Sequence, residues 1–289
     1  MSKIVIIVGP TGSGKTALSI ALAKRFGFEI INGDSVQVYK ELNIGSAKIR
    51  LSEMDNIPHH LLDVCSLNHR YTVYDFQRDV RGLLGNNKNY LIVGGTGLYI
   101  KAAIYDYEFK SDVKGEADLG KWDDISTESL YDRLVKLDKD IVIDSKNRRR
   151  VVRALELALS GDLRSSKTNK DVLKYEALVI YLDLDKNELE SRLKIRLDNQ
   201  LKLGFLEEVE YLKEKGLYSS SIGYKELFDY LDNKLSFEEA KERIIISSRQ
   251  LAKRQKTFFK NQMSPVFVNA LDENLLDSVS ELVREFLNK

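Results

Sequence analysis

The segment Gly9-Pro10-Thr11-Gly12-Ser13-Gly14-Lys15-Thr16 constrains this chain most, because it matches the phosphate-binding loop G-x-x-x-x-G-K-[ST] in full. An apolar, β-branched run at residues 4–8 precedes the loop, and an amphipathic pattern at 15–26 follows it. In such a loop the glycines let backbone N–H groups point at phosphate oxygens, Lys15 adds positive charge, and the Thr16 hydroxyl can hold Mg²⁺. The loop predicts a site for a di- or triphosphate but does not identify the compound.

Strand and helix patterns alternate along much of the chain, which is typical of an α/β fold with a parallel sheet. Further strands are predicted at 28–31, 61–64, 90–93 and 178–182, and a helix is predicted at 72–84. Between about 106 and 172 the strand signal stops, and helical spacing is seen at 127–137 and 146–160. Later helices are predicted at 185–201, 205–215, 236–262 and 273–288. We therefore expect an α/β core formed by residues 1–108 and 173–289, with a mainly helical insertion at 109–172.

Net charge says nothing about nucleic acid, because 45 Lys and Arg residues stand against 44 Asp and Glu. Residues 141–170 nevertheless carry eight basic residues against three acidic ones, which indicates a local phosphate-binding surface. Arg249, Lys253, Lys256 and Lys260 form a second basic stripe, which is either another such surface or a solvated helix face. The single cysteine, Cys65, excludes a disulfide framework and a cysteine-built zinc site. No apolar stretch has membrane-spanning length, so a cytoplasmic protein without membrane contact is expected.

Several motifs accompany the phosphate loop in a fixed order. Asp34-Ser35-Val36-Gln37-Val38-Tyr39 follows the second predicted strand, at the sheet edge where α/β proteins bind ligands. Taken together, the ordered motifs resemble the tRNA dimethylallyltransferase (isopentenyltransferase) family over about residues 4–260. The other motifs are Gly45-Ser46-Ala47-Lys48, His59-His60-Leu61-Leu62-Asp63, Gly94-Gly95-Thr96-Gly97-Leu98-Tyr99, Ile222-Gly223-Tyr224-Lys225-Glu226 and Ala252-Lys253-Arg254-Gln255.

The resemblance implies a P-loop, nucleotide-kinase-like core with an inserted helical domain. It implies that the loop holds dimethylallyl diphosphate, together with Mg²⁺ on Thr16, and not ATP. The acceptor would be N6 of adenosine 37, 3′ of the anticodon, in tRNAs reading codons that begin with U. The expected partners are therefore the anticodon stem-loop and the prenyl donor, and a monomer is expected because tRNA binding leaves no need for a second subunit.

The chemistry requires a base and stabilisation of a leaving diphosphate, because an adenine amine is a poor nucleophile. Asp34 is well placed as the base, and the family's base is at this motif position; an Asx-turn or helix cap is the alternative. The resemblance places Thr11 near the transferred group and matches Arg196, which shares a helix face with Arg192, to the family's arginine. The predicted tRNA-binding residues are Asp34, Ser35, Val36, Gln37, Thr96, Arg149, Arg150, Val151, Val152 and Arg153. His59 and His60 are interpreted as structural.

The chain departs from the family pattern without losing a catalytic group. Ser46 replaces a usual Thr, Ile49 a usual Pro and Phe258 a usual Trp, Ser160 precedes Gly161 where Thr is usual, and residues 110–125 lack the usual opening of the insertion. Three alternatives remain open at this point: transfer to a free adenine nucleotide, a P-loop small-molecule kinase, and a non-catalytic tRNA-binding module. The kinase hypothesis gives no account of the motifs at 34–39 and 94–99.

Overall fold

The computed structural model describes residues 3–86, 88–109, 120–167 and 169–288. The chain divides into two compact units, one formed by Met1–Ile104 with Lys174–Lys289 and the other by Tyr105–Leu173. The helical insertion was predicted at residues 109–172, and the second unit found by contacts runs from Tyr105 to Leu173. Tyr105 pairs with Leu173 in an isolated antiparallel bridge, and the N–H of Asp106 donates to the carbonyl of Val172 at 2.8 Å. Residues 105–108 and 173 therefore belong with the second unit.

The first unit contains a sheet of six strands in the order β3-β2-β4-β1-β5-β6, and every neighbouring pair is parallel. This confirms the predicted fold class. The weak strand predicted at 61–64 is wrong, because pairing with β2 stops at His60. The short strand β6 was not predicted. The strands are β1 Ile4–Val8, β2 Glu29–Asn32, β3 His59–His60, β4 Tyr90–Gly94, β5 Ala177–Asp183 and β6 Val266–Asn269.

Helices of the first unit flank this sheet, and most begin and end where the periodicity predicts. Two were missed, α3 and α8, each of only eight residues and too short for a clear apolar repeat. The helices are α1 Lys15–Phe26, α2 Val73–Leu84, α3 Gly97–Ile104, α6 Lys186–Lys202, α7 Phe205–Glu214, α8 Tyr224–Leu231, α9 Phe237–Met263 and α10 Leu275–Asn288.

Apolar clusters among the described residues of the first unit include one at the sheet and one among the later helices. One lies at the sheet, where all five residues of β1 are fully buried, as expected for a central parallel strand. The other joins α6, α7, α8 and α9 through buried side chains such as Leu197, Val209, Leu227 and Ile244. Gln200 and Glu208, on α6 and α7, reach the backbone of residues 43–45.

The second unit is helical where the structure describes it. Its main elements are α4 Thr127–Leu137 and α5 Arg148–Leu159, which pack through Leu130, Leu134, Val151, Val152 and Leu155. Asn147 caps α5, because its side chain accepts the N–H of Arg150 at 3.2 Å. Part of the predicted departure at 110–125, residues 110–119, lies outside the described residues.

Candidate active site

Three strand ends bring the predicted motifs together at one edge of the sheet. β2, β4 and β1 are neighbours, and their last residues are in register: Asn32 lies opposite Val93, and Val8 lies opposite Gly94. Since the strands are parallel, the phosphate loop, the segment after Asn32 and the glycine turn after β4 all leave the same edge. The fold therefore gathers residues that are far apart in sequence.

The phosphate loop has the backbone conformation that its glycines predict. Gly12 and Gly14 have φ angles of 84° and 83°, in the left-handed region that glycine adopts without strain. At Gly9 a Cβ would lie 2.8 Å from the carbonyl oxygen of Leu182, so this position has no room for a side chain. The Ser13 hydroxyl is buried and has no hydrogen-bond partner in the described part of the chain. The loop thus packs against the end of β5 and leads into α1.

Lys15 folds back onto its own loop. Its Nζ donates to the carbonyls of Gly9 and Pro10 at 2.9 and 2.7 Å. Burial of the ammonium group, followed by the neighbouring charge of Arg196, lowers the pKa of Lys15 to about 8, while Asp34 acts in the opposite direction. Lys15, Arg196 and Asp34 therefore form one electrostatically coupled group.

Asp34 makes the Asx-turn that the sequence left as the alternative to a base. Its Oδ1 accepts the N–H of Val36 at 2.8 Å, which is an Asx-turn. Its Oδ2 accepts no hydrogen bond from any described residue, while the carboxylate raises the pKa of both Lys15 and Arg196. The sequence analysis missed Asn32, whose side chain accepts the N–H of Asp34 and donates to its carbonyl, both at 3.0 Å. One carboxylate oxygen therefore orders the loop, and the other has no hydrogen-bond partner among the described residues.

Thr96 links the glycine turn to the segment containing Asp34. Its N–H donates to the carbonyl of Gly33 at 3.1 Å, and its hydroxyl accepts the N–H of Ser35 at 3.0 Å. A Cβ at Gly94 would lie 2.2 Å from the carbonyl carbon of Gly33, so close approach of the two backbones requires glycine. Thr96 and Ser35 are thus brought together, as two of the predicted tRNA-binding residues.

The two arginines of α6 contact different loops. The Arg192 guanidinium donates to the Glu188 carboxylate at 2.6 Å and to the carbonyl of Gly12 at 3.3 Å. Arg196 donates to the carbonyl of Ser46 at 3.2 Å, and burial lowers its pKa while Asp34 raises it. Arg192 therefore touches the phosphate loop directly, and Arg196 lies at the group formed with Lys15 and Asp34.

Two predicted contacts stay predictions. Gln37, one of the predicted tRNA-binding residues, donates its amide N–H to the carbonyl of Ser46 at 3.1 Å, so its amide nitrogen already has a protein partner. Thr11 is half-buried and makes no hydrogen bond to the described residues, a placement that leaves its hydroxyl open to a ligand. Val36 is half-buried and packs against the apolar cluster of α6–α9. The interpretation of His60 as structural agrees with its contact to Glu29 at 2.7 Å.

The donor groups present fit a magnesium ion that shares a ligand with a diphosphate. In the described ranges no group of three or more His, Cys, Asp or Glu side chains could hold a metal ion. Thr16, at the second position of α1, has an exposed side chain beside the loop. Mg²⁺ is commonly bound by one or two protein oxygens together with substrate phosphates and water, and such a site needs no protein cage. Thr16 would therefore hold the ion only with its substrate.

Comparison with known proteins agrees with this geometry. The model of the IPP transferase family matches residues 37–262, and the model named isopentenyl transferase matches residues 2–70. The chain belongs to the IPP transferase family. A tRNA dimethylallyltransferase from Acholeplasma laidlawii is 47% identical over 99% of both chains. A tRNA isopentenylpyrophosphate transferase structure from Bacillus halodurans is 33% identical, with a TM-score of 0.77 over 100% of this chain and 97% of that one.

A third relative comes from a eukaryote. A solved eukaryotic dimethylallyltransferase, described as acting on tRNA, is 28% identical. Its TM-score is 0.81, over 98% of this chain and 78% of that one. The resemblance stated from the motifs is therefore confirmed at the level of the family.

The basic stretch of this IPP transferase that was predicted to bind tRNA lies in the second unit. Arg149 and Arg150 are exposed near the start of α5, and Arg153 is half-buried one turn later. Val151 and Val152 are corrected to core residues, because both side chains are fully buried against α4. Only the arginines of this stretch can present side chains to an RNA.

Two other sequence predictions are refined. In the second basic stripe, Arg249 pairs with Glu190 at 2.8 Å and Lys256 with Asp183 at 2.6 Å, so half of it is neutralised within the protein. Across the described residues, no helix combines the length and apolar character needed to cross a bilayer.

Proposed function

We propose that this IPP transferase moves a dimethylallyl group from dimethylallyl diphosphate to N6 of an adenosine in tRNA. We propose further that this is adenosine 37, 3′ of the anticodon, in tRNAs reading codons that begin with U. The names of the relatives support the donor and the RNA class, and the motif resemblance supports the position. The proposal also includes Mg²⁺ bound with the diphosphate and a cytoplasmic location. It further includes a monomeric state, which light scattering would check.

One observation carries the proposal: Asp34 lies within the electrostatic range of Lys15 and Arg196. The Asp34 carboxylate is suited to accept a proton, and the cationic side chains of Lys15 and Arg196 are suited to bind a leaving diphosphate. A carboxylate beside a phosphate loop would also suit a kinase, so the choice of a transferase over a kinase is supported by the relatives and the motifs. The juxtaposition fits a reaction in which an amine loses a proton as a diphosphate departs.

The reaction then balances as follows. The C1–O bond of the allylic donor breaks with carbocation character, and the electron pair leaves on the diphosphate, which the loop N–H groups, Lys15 and Arg196 stabilise. The N6 lone pair forms the new C1–N6 bond, and the proton of N6 passes to the free oxygen of Asp34. The Thr16 hydroxyl would hold Mg²⁺, which when bound would add charge neutralisation to the diphosphate. The products are pyrophosphate and N6-dimethylallyladenosine.

The exposed arginines of α5 supply the sequence-independent part of tRNA binding in this proposal. Arg149, Arg150 and Arg153 lie within a stretch of five residues. This stretch is near the cap that fixes the start of the helix. Guanidinium groups bind phosphate oxygens in bidentate fashion. Placing an adenine in a buried site requires a base taken out of its stack, and a single-stranded loop yields one at low cost.

The test is incubation of the purified protein with Mg²⁺, dimethylallyl diphosphate and unmodified tRNA, without ATP, followed by nucleoside mass analysis. The expected product is one added dimethylallyl group on the adenosine 3′ of the anticodon. Product on AMP but not on tRNA would replace the proposal by a free-nucleotide transferase. An absence of product on both, with ATP consumed in the presence of a phosphoryl acceptor, would establish a kinase instead.

A further inference from the structure

Glu208, on α7, holds the loop at residues 43–45, which leads into the Gly45-Ser46-Ala47-Lys48 motif. Its Oε2 accepts the N–H groups of Asn43 and Ile44 at 3.1 and 2.8 Å. Its Oε1 accepts the N–H of Gly45 at 3.1 Å and the hydroxyl of Tyr224 at 2.6 Å. Three successive N–H groups that converge on one anion form a backbone nest, a feature that often binds phosphate. In this protein the anion is a carboxylate of the chain itself.

The carbonyls of the same loop are held from the other side by α6. The Gln200 amide donates to the carbonyls of Ile44 and Gly45 at 2.7 and 2.8 Å. The next carbonyl, that of Ser46, accepts the Arg196 guanidinium at 3.2 Å. The loop at residues 43–46 is therefore gripped through its N–H groups by α7 and through its carbonyls by α6.

Packing leaves this loop little freedom to move. A Cβ at Gly45 would lie 2.1 Å from a ring carbon of Phe205 and 2.6 Å from one of Tyr224, so the backbone rests directly on the two rings. These rings are themselves packed edge to face, with centroids 5.0 Å apart. Burial and the neighbouring Glu208 raise the pKa of Tyr224 above its usual range, so its hydroxyl stays a donor.

Arg196 depends on this loop for its orientation. Within the described part of the chain, its one hydrogen bond goes to Ser46. A guanidinium has five N–H donors in a fixed planar fork, so fixing one of them sets the direction of the others. The charge of the guanidinium also acts on Lys15, and the Asp34 carboxylate acts on the guanidinium in turn.

We propose that Glu208 is a positioning residue of the transfer site, which sets the Ser46 carbonyl and through it the orientation of Arg196 toward the diphosphate. The inference rests on the proposed function for the role of Arg196. Glu208 itself touches neither substrate nor the reacting atoms. The negative charge serves to hold four donors at once, and a neutral side chain of the same size does not match them.

Glu208→Gln is the direct test of this positioning. This change turns one carboxylate oxygen into an NH₂ group. Each of the two oxygens accepts at least one backbone N–H in the native protein, so the NH₂ group would face a donor in either orientation. Glu207→Gln is the matched control, since Glu207 is exposed on the same turn of the helix. Tyr224→Phe removes one of the four donors and keeps the ring, so a smaller effect is expected from it.

The experiment measures the affinity for inorganic pyrophosphate by calorimetry in a double-mutant cycle with Arg196→Gln. We expect Glu208→Gln to weaken binding on the order of tenfold in the wild-type background, because misplacing one binding group has effects of this size or larger. In the Arg196→Gln background the further loss should be less than about threefold, since the group being positioned is gone. The inference would be overturned if Glu208→Gln weakened pyrophosphate binding by the same factor in both backgrounds, or if it weakened binding in neither.

Two further readouts separate positioning from loss of fold and from failure of the proposed function. Thermal unfolding shows whether each variant is folded; if Glu208→Gln is not, Glu208→Asp, which keeps both acceptor oxygens, enters the same cycle. A protein that binds pyrophosphate but transfers nothing would remove the proposed function, while the cycle would still decide the role of Glu208. With active enzyme, Glu208→Gln should raise KM for the prenyl donor and leave KM for tRNA within about twofold.

Discussion

The coupling of Lys15 with Arg196 and Asp34 predicts how diphosphate binding depends on pH. Lys15 binds an anion as an ammonium, and its pKa of about 8 lies in an accessible range. At pH 7 about 90% of Lys15 is then protonated, and at pH 9 about 10%. If the charged form is the one that binds, affinity for pyrophosphate falls about ninefold between these values. The alkaline midpoint reports the pKa of Lys15.

Removing either neighbour should move that midpoint, and in opposite directions. Asp34 raises the pKa of Lys15, so Asp34→Asn should shift the loss of affinity to lower pH. Arg196 lowers it, so Arg196→Gln should shift the loss to higher pH, although the variant binds more weakly at pH 7. Pyrophosphate also titrates in this range, but its ionisation is identical in all titrations and cancels when variants are compared.

Calorimetric titration of pyrophosphate from pH 6.5 to 10 would measure these midpoints in the wild type and both variants. Lys15→Gln is the control. In this variant the alkaline loss of affinity that is assigned to Lys15 must disappear. Midpoints that move in the same direction, or do not move, would refute the electrostatic reasoning.

The stability of the ligand-free protein gives a second check. The unfolded chain holds the Lys15 proton more tightly, so the contribution of Lys15 to the free energy of unfolding should rise from about pH 8 to 10.5.

Three other predictions test the base, the loop and the RNA surface. Asp34→Ala should lower kcat on the order of 10²- to 10⁴-fold and leave pyrophosphate binding measurable at pH 7, as steady-state kinetics and calorimetry would show. Gly45→Ala should lower the free energy of unfolding by about 1–3 kcal/mol in urea titrations, because its methyl group overlaps the Phe205 ring. Arg150→Ala should weaken tRNA binding and reduce the salt slope by about one without loss of thermal stability. Arg148→Ala should lower stability, because its guanidinium holds the carbonyls of residues 122 and 125.

The sequence predicted elements with a strong periodic signal and missed those without one. β1 is a run of five buried β-branched residues, and α1 begins directly after the glycines of the phosphate loop, so both have clear boundaries. β6 has only four residues, three of them exposed, so it lacks the apolar run of a buried strand. β3 pairs over only two residues, and tertiary context decides where that pairing stops.

In the candidate site, too, some residues were predicted from sequence patterns and others were missed. The phosphate loop and the Asp34 segment were identified because their side chains and glycines form recognisable motifs. Glu208, Gln200 and Asn32 act on backbone groups of other segments, and a side chain that binds a backbone requires no particular residue type at the other end. In sequence, Glu208 reads simply as an acidic residue in the first turn of α7, a common position near a helix N-terminus.

The roles of Lys15, Asp34 and Arg196 cannot be separated by replacing one charge at a time. Each of the three changes the charge balance of another, so the loss caused by a single replacement combines the missing contact with a shifted protonation equilibrium. A base variant such as Asp34→Asn therefore also alters diphosphate binding through Lys15, most strongly above neutral pH. Only comparisons made over a range of pH, or in double-mutant cycles, assign the proton transfer to Asp34 and the leaving group to Lys15 and Arg196.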